Sequence, residues 1–190
     1  MSKLVAIIQG HNFLLQGAMA YNGKTEFEYT MAQAIRVVRG GIGAIRIAGM
    51  GMVPLTTDGR KSLNNLVKKL NYLKPDYGID LHFNFNAPRA SGTEVIVSRS
   101  TTEENKIRAG GMCAEISAYL GLRHRRRVAS RDWIYPNETP YGTLAILDQT
   151  TMPMIILETC FLNEHDLGHY HGKEWGVADI IRDWMFFKQI

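Results

Sequence analysis

Ile79-Asp-Leu-His-Phe-Asn-Phe-Asn86 decides how the rest of the chain is read. It predicts a buried strand over residues 78–84 that delivers His82 and Asn84 to the edge of a sheet, with Pro88 closing the run. Two other stretches end the same way. Leu4-Val-Ala-Ile-Ile-Gln-Gly-His11 is apolar and then stops at Gly-His. Met154-Ile-Ile-Leu-Glu158 is apolar and then stops at a carboxylate. In open α/β sheets, groups at the carboxyl ends of strands converge in one crevice. The pattern therefore predicts that His11, His82 and Glu158 meet.

Outward from that stretch, helical and strand patterns alternate. Strands are predicted at residues 3–9, 43–49, 78–84, 92–98, 143–147 and 154–158. A helix over 26–39 carries Met31, Ala34, Ile35 and Val38 at helical spacing, and Gly40-Gly41 ends it. Ser62 is placed to cap a second helix with the stripe Leu63, Leu66, Val67 and Leu70. Thr101 and Glu104 have capping-box spacing and open a third, striped by Ala109, Met112, Cys113, Ile116 and Leu120 and ended by Gly121. Residues 122–141 read as a long loop, and 173–188 as a last helix. The expected fold is a single α/β domain over residues 1–190, a twisted, mainly parallel six-stranded sheet with helices on both faces and no separate binding domain.

Whole-chain properties narrow the class. No apolar run approaches the roughly 18 residues that span a bilayer, so stable membrane insertion is not expected. The chain begins Met1-Ser-Lys-Leu without an A-x-A-like cleavage site, from which synthesis in the cytoplasm without a signal peptide is expected, with a mature protein already trimmed as the alternative. Two cysteines, Cys113 and Cys160, are too few for a disulfide framework and read as core thiols. A net charge of +4 is mild, not the dense basicity of a nucleic-acid module. Part of the excess sits in Arg123-His-Arg-Arg-Arg127, which reads as a solvated loop or as an attraction for an anionic polymer.

The chemistry rests on six histidines and a few carboxylates. A catalytic zinc site takes three protein ligands and keeps a position open. His11 and His82 supply two, and Glu26 or Glu28 the third. Thr25 and Glu28 have the spacing of a capping box, which occupies Glu28 and leaves Glu26 freer to reach the crevice. His165-x-x-x-His169-x-His171 is the rival cluster, in what reads as an exposed loop. Hydrolysis of an amide also needs a base for the attacking water and an acid for the departing amine, and one glutamate can serve as both. Glu158, ending the most apolar strand, is the candidate, and burial should raise its pKa.

Taken in order, these pieces resemble the zinc-dependent N-acetylmuramoyl-L-alanine amidases of the amidase-3 type, found in bacterial cell-wall hydrolases and phage endolysins. The resemblance is carried by Gly10-His11, Gly17 and Gly23 in the following loop, Glu26, His82-Phe83-Asn84, Gly92-Thr93-Glu94-Val95, and Glu158-Thr159-Cys160-Phe161-Leu162-Asn163 with Asp166 beyond. It implies Zn2+ held by His11, Glu26 and His82, Glu158 as the catalytic carboxylate, and Asn84 as a substrate contact. It implies hydrolysis of the peptidoglycan amide between N-acetylmuramic acid and L-alanine. An endolysin would be released to the cell wall by a separate holin. Asn12-Phe13, Cys160, Phe83 and Phe85 depart from the family's small residues and bear on the shape of the groove. Two alternatives stand beside this: another zinc hydrolase, carboxypeptidase-like, with Arg46, Arg60 or Arg89 holding a free carboxylate, and an inactive wall-binding module.

Overall fold

The structure is a computed structural model of the chain and describes residues 4–11, 13–39, 44–47, 59–85, 90–98, 101–125 and 144–188. Five strands form one sheet: β1 (Val5–Gln9), β2 (Ala44–Ile47), β3 (Tyr77–Asn84), β4 (Glu94–Val97) and β5 (Met154–Phe161), in the spatial order β2-β1-β3-β5-β4. All five residues of β1 are buried, as a strand covered on both faces requires. Alternate side chains go to opposite sides. Val5 and Ile7 join the core beneath α1 (Glu26–Arg39) and α3 (Glu103–Leu120), while Ala6 and Ile8 join a smaller core with α2 (Gly59–Leu73) and α4 (Ala145–Asp148).

The order of the strands positions the site. From β1 the chain passes through α1 to β2 on one side, then through α2 to β3 on the other side of β1. The connections diverge between β1 and β3, a switch point that leaves a crevice at the carboxyl ends of those two strands.

The expected six-stranded, mainly parallel sheet is corrected to a mixed sheet of five strands among the described residues. The pairings β1–β2, β1–β3 and β3–β5 are parallel, and β4 joins the edge antiparallel to β5. The strand expected at 143–147 is instead the short helix α4, with Ile146 and Leu147 buried. A short apolar run carries no period that separates a strand from a buried helical turn. β5 runs on past Glu158 to Phe161, so that glutamate lies within the strand and does not end it.

Helix boundaries differ in informative ways. α1 spans the expected residues, but its buried face is Tyr29, Thr30, Gln33, Ala34 and Val37. Two polar residues tolerate burial there because Thr30 donates to the Gly10 carbonyl at 2.8 Å and Gln33 donates to Thr159 Oγ1 at 2.9 Å. α2 begins at Gly59, which places Ser62 inside the helix and not at its cap. Thr102, not Thr101, caps α3, accepting from the Asn105 N–H, and Gly121 closes it in the left-handed conformation. The predicted stripe Ala109, Met112, Cys113, Ile116 and Leu120 is buried. Where a loop was read, α5 (Glu164–Tyr170) forms behind an Asn163 cap. The last helix, α6 (Glu174–Arg182), gives way to a π-helical turn at Asp183–Phe187. Of the long loop, residues 126–141 lie outside the described residues. Among the described residues no helix is long and apolar enough to cross a membrane.

Candidate active site

β1 hands the chain to the crevice through Gly10, whose N–H donates to the Leu81 carbonyl at 2.9 Å and so ties it to β3. A Cβ on Gly10 would stand 2.3 Å from that carbonyl oxygen and 2.8 Å from the His82 ring, so only glycine fits. His11 follows with φ 63°, a left-handed conformation a non-glycine residue holds at a cost of about 1–3 kcal/mol. That turn brings His11 Nε2 to 2.9 Å from Glu26 Oε2.

Glu26 is the first residue of α1, where the helix end favours negative charge. The neighbouring capping box is in place: Thr25 N–H donates to Glu28 Oε2 at 2.7 Å, and Glu28 N–H to Thr25 Oγ1 at 3.4 Å. Glu28 is thereby used locally, and Glu26 turns inward. Its Oε1 meets His82 Nδ1 at 2.9 Å and accepts from the Phe83 N–H at 3.1 Å, while its Oε2 accepts from the Ala18 N–H at 3.3 Å. Gly17, at φ 73°, lets the loop close over this point, since a Cβ there would lie 2.6 Å from Glu26 Oε2. Burial alone would raise the Glu26 pKa, but the bonds and charges of His11 and His82 outweigh it and bring it down to about 2.

The structure thus brings His11, Glu26 and His82 together, with one ligand atom from each within 4.8 Å of the others. Among the described residues this is the one such group of His, Cys, Asp or Glu. Behind His82 stands Asp80, two residues back on the same face of β3, with Oδ2 3.3 Å from His82 Nε2 and a buried Oδ1 that has no partner. Burial disfavours the His82 imidazolium, yet Asp80 and then Glu26 hold its pKa well above the ordinary value. Asp80 was missed in the sequence, although its spacing of two from His82 on a strand was the signal.

Glu158 sits beside His82 in the β3–β5 register. Its Oε2 is sealed from solvent and has no hydrogen-bond partner. Burial raises its pKa to about 7, against the pull of His82 and with the help of Glu26, Glu94 and Asp80. A cavity of about 200 Å³ opens here, with His11, Asp80, His82 and Glu158 in its wall and Leu63 and Ile146 opposite. Asn84 lies further along the same face, donating to Glu94 Oε2 at 3.1 Å. Glu94 pairs directly across from Glu158 and carries an ion pair with Arg125, Nε to Oε2 3.4 Å. Part of the basic run is therefore bound to the sheet edge; Arg126 and Arg127 lie outside the described residues, as do Arg89 and the side chains of Arg46 and Arg60.

The tail histidines are spent separately. His165 pairs with Asp166 at 2.9 Å, His169 Nδ1 with the Leu120 carbonyl at 3.0 Å, and His171 with Glu174 at 3.5 Å. They lie on and just after α5, and not in a loop as read from the sequence. Cys113 and Cys160 are buried free thiols whose pKa burial pushes up, that of Cys113 to about 12.

Residues 5–176 match the model of the Amidase_3 family, N-acetylmuramoyl-L-alanine amidase. The chain belongs to this family. As an N-acetylmuramoyl-L-alanine amidase it is a peptidoglycan hydrolase. Solved structures of similar fold include the catalytic domain of the CD27L endolysin targeting Clostridia difficile, at 17% identity and TM-score 0.77 over 99% of both chains. The N-acetylmuramoyl-L-alanine amidase from Clostridium difficile 630 matches at 19% identity and TM-score 0.73, over 97% of this chain and 95% of that one. The catalytic domain of the amidase CwlV from Bacillus (Paenibacillus) polymyxa matches at 20% identity and TM-score 0.67, over 96% of each. Comparison with curated protein sequences gives no match.

Proposed function

We propose that this amidase domain is zinc-dependent, with His11, Glu26 and His82 as the metal ligands, Glu158 as the proton carrier and Asn84 as a substrate contact. The observation that carries this reading is the convergence of three ligand atoms from three separate segments, beside a carboxyl with an orphaned, sealed oxygen. Two imidazoles and one carboxylate are a donor set suited to zinc. Zinc, when bound there, supplies a Lewis acid for the scissile carbonyl.

The chain's own residues do the proton work. In the metal-free site burial brings the Glu158 pKa up to about 7, which puts both its carboxylate and its acid form within reach near neutral pH. As carboxylate it takes a proton from the attacking water, whose oxygen bonds to the lactyl carbonyl carbon. As acid it returns that proton to the L-alanine nitrogen while the C–N bond breaks. Asp80 faces His82 Nε2 and so leaves Nδ1 directed at the ligand cluster. Asn84 Nδ2 has a second N–H beyond the one given to Glu94, available to a substrate carbonyl.

We further read the protein as an endolysin that acts on the cell wall after a separate holin-type partner opens the membrane. The likeness in fold to an endolysin catalytic domain supports this. Turbidity clearing of purified peptidoglycan, with and without chelator, combined with product mass spectrometry, tests the reading. New free L-alanine amino groups, lost with chelator and restored by zinc, are expected. Release of reducing sugars without new amino groups, or full activity in chelator, would overturn it.

A further inference from the structure

We propose that Arg125 forms a carboxylate-binding subsite for the stem peptide, so that the enzyme favours a stem whose second residue carries a free carboxylate. This rests on the amidase reading and adds to it which substrate the site prefers.

The sheet register sets out a row of side chains on one face. His82 pairs with Glu158, and Glu158 pairs with Glu94. At a strand spacing of about 4.8 Å, the row runs roughly 10 Å from His82 to Glu94. Arg125 lies at its far end. Its backbone is fixed there, with Thr93 N–H donating to the Arg123 carbonyl at 3.1 Å and Arg125 N–H to the Thr93 carbonyl at 3.2 Å. Its side chain is fixed too, with the guanidinium carbon 5.2 Å from the centre of the Phe161 ring and Nε 3.4 Å from Glu94 Oε2. Glu94 is in turn held by the Asn84 amide.

Arginine carries five N–H donors in a fixed fork. Here Nε faces Glu94, and among the described residues no acceptor meets the two terminal nitrogens. The side chain as a whole remains 32% exposed. Glu158 and Glu94 make the middle of the row acidic, and Arg125 sets a cation against Glu94 at its far end.

Substrate chemistry says which anion fits. The lactyl carboxyl of the glycan is consumed in the amide, so the nearest free carboxylate belongs to the peptide. One alanine spans about 3.8 Å between consecutive α-carbons. A carboxylate on the next residue therefore stands roughly 6–7 Å from the scissile nitrogen when the chain is extended. That reach carries it from Glu158 across one strand to the Arg125 end. The stem would run over β5 toward β4, with the glycan on the β1 side.

The test compares two synthetic substrates whose second residue is joined through its side-chain carboxyl to L-lysinamide, N-acetylmuramoyl-L-alanyl-γ-D-glutamyl-L-lysinamide with a free α-carboxylate and its D-isoglutaminyl counterpart with that carboxylate amidated, with the wild type, Arg125→Ala and Arg125→Lys. The wild type should prefer the free acid by about tenfold in kcat/KM, through KM. Arg125→Ala should bring the ratio to about one, and Arg125→Lys should keep part of it. Because the readout is a ratio within each variant, a general loss of stability does not move it. Equal cleavage of both substrates by the wild type, or an undiminished preference in Arg125→Ala, would overturn the proposal. Should neither substrate be cleaved, the amidase reading fails by itself. Calorimetric binding of L-alanyl-γ-D-glutamyl-L-lysinamide, whose one free carboxylate is on the second residue, still decides the subsite. Binding about tenfold weaker in Arg125→Ala supports it, and no binding or equal binding rejects it.

Discussion

The two sides of the crevice each hold a glutamate, and they hold it in opposite ways. On the α1 side, Glu26 faces two imidazoles and accepts two backbone N–H groups, and its pKa falls to about 2. On the β5 side, the Oε2 of Glu158 has no partner, and its pKa rises to about 7. The same functional group is kept ionised at one place and near its midpoint at the other. A fixed anion suits a metal ligand, and a group poised near neutrality suits a proton carrier. The difference comes from position: a helix N-terminus facing two imidazoles and two backbone amides, against the middle of a strand where burial leaves one carboxyl oxygen without a partner.

Removing each glutamate should therefore fail differently. Glu26→Ala should lower zinc affinity on the order of 10³-fold and abolish activity with it. His82→Ala should do the same. Glu158→Gln should leave zinc content intact and cut turnover by roughly 10²- to 10⁴-fold. Elemental analysis beside a turnover assay separates the two. Loss of metal in Glu158→Gln would collapse the distinction.

A finer test reaches the group behind His82. Asp80→Ala should weaken zinc binding by about tenfold in a chelator competition, because the Asp80 Oδ2 contact with His82 Nε2 no longer orients the ring. Asp80→Asn should recover most of the loss, since an amide oxygen can still accept from that nitrogen. Equal affinity in Asp80→Ala would show that Glu26 alone sets the ring.

How much of this was legible follows from period and position. His11 and His82 could be read because each follows a mainly apolar run along a buried parallel strand, interrupted in β3 by Asp80. Glu26 could be separated from Glu28 because the Thr25–Glu28 box is a local pattern. Glu94 and Arg125 could not be read as partners of the site, since they reach it only through antiparallel pairing at the sheet edge and a bridge at Thr93. Nothing local announces those contacts. The buried face of α1 was misplaced because Thr30 and Gln33 are polar by composition yet satisfied by distant groups.

The opposite pKa shifts also predict opposite pH dependences in the chelated protein. Glu26 has its folded value below the ordinary 4.5, so its contribution is present above 4.5 and fades as pH falls toward 2. Glu158 has its folded value above 4.5, so its contribution is full below 4.5 and is lost as pH rises through about 7. Glu158→Gln should remove the alkaline decline and leave the acid one. In urea unfolding, the variant should gain on the order of 2 kcal/mol over the wild type between pH 5 and pH 8.5. A constant offset across that range would mean Glu158 is not strained by its charge.

The smallest expected effect belongs to the histidines that do not converge. His169 stands on α5 with its ring 4.9 Å from that of His165, close enough to suggest a shared ion. Yet each ring is already committed: His169 Nδ1 to the Leu120 carbonyl at the end of α3, and His165 to Asp166, which also receives the N–H groups of Gly92 and Phe161. These contacts tie α5 to its neighbours, which is a structural use. His169→Ala should leave zinc content and kcat unchanged and cost about 1 kcal/mol of stability, the worth of one hydrogen bond. A drop in metal content would move the centre away from the crevice, and with it the contrast between the two glutamates.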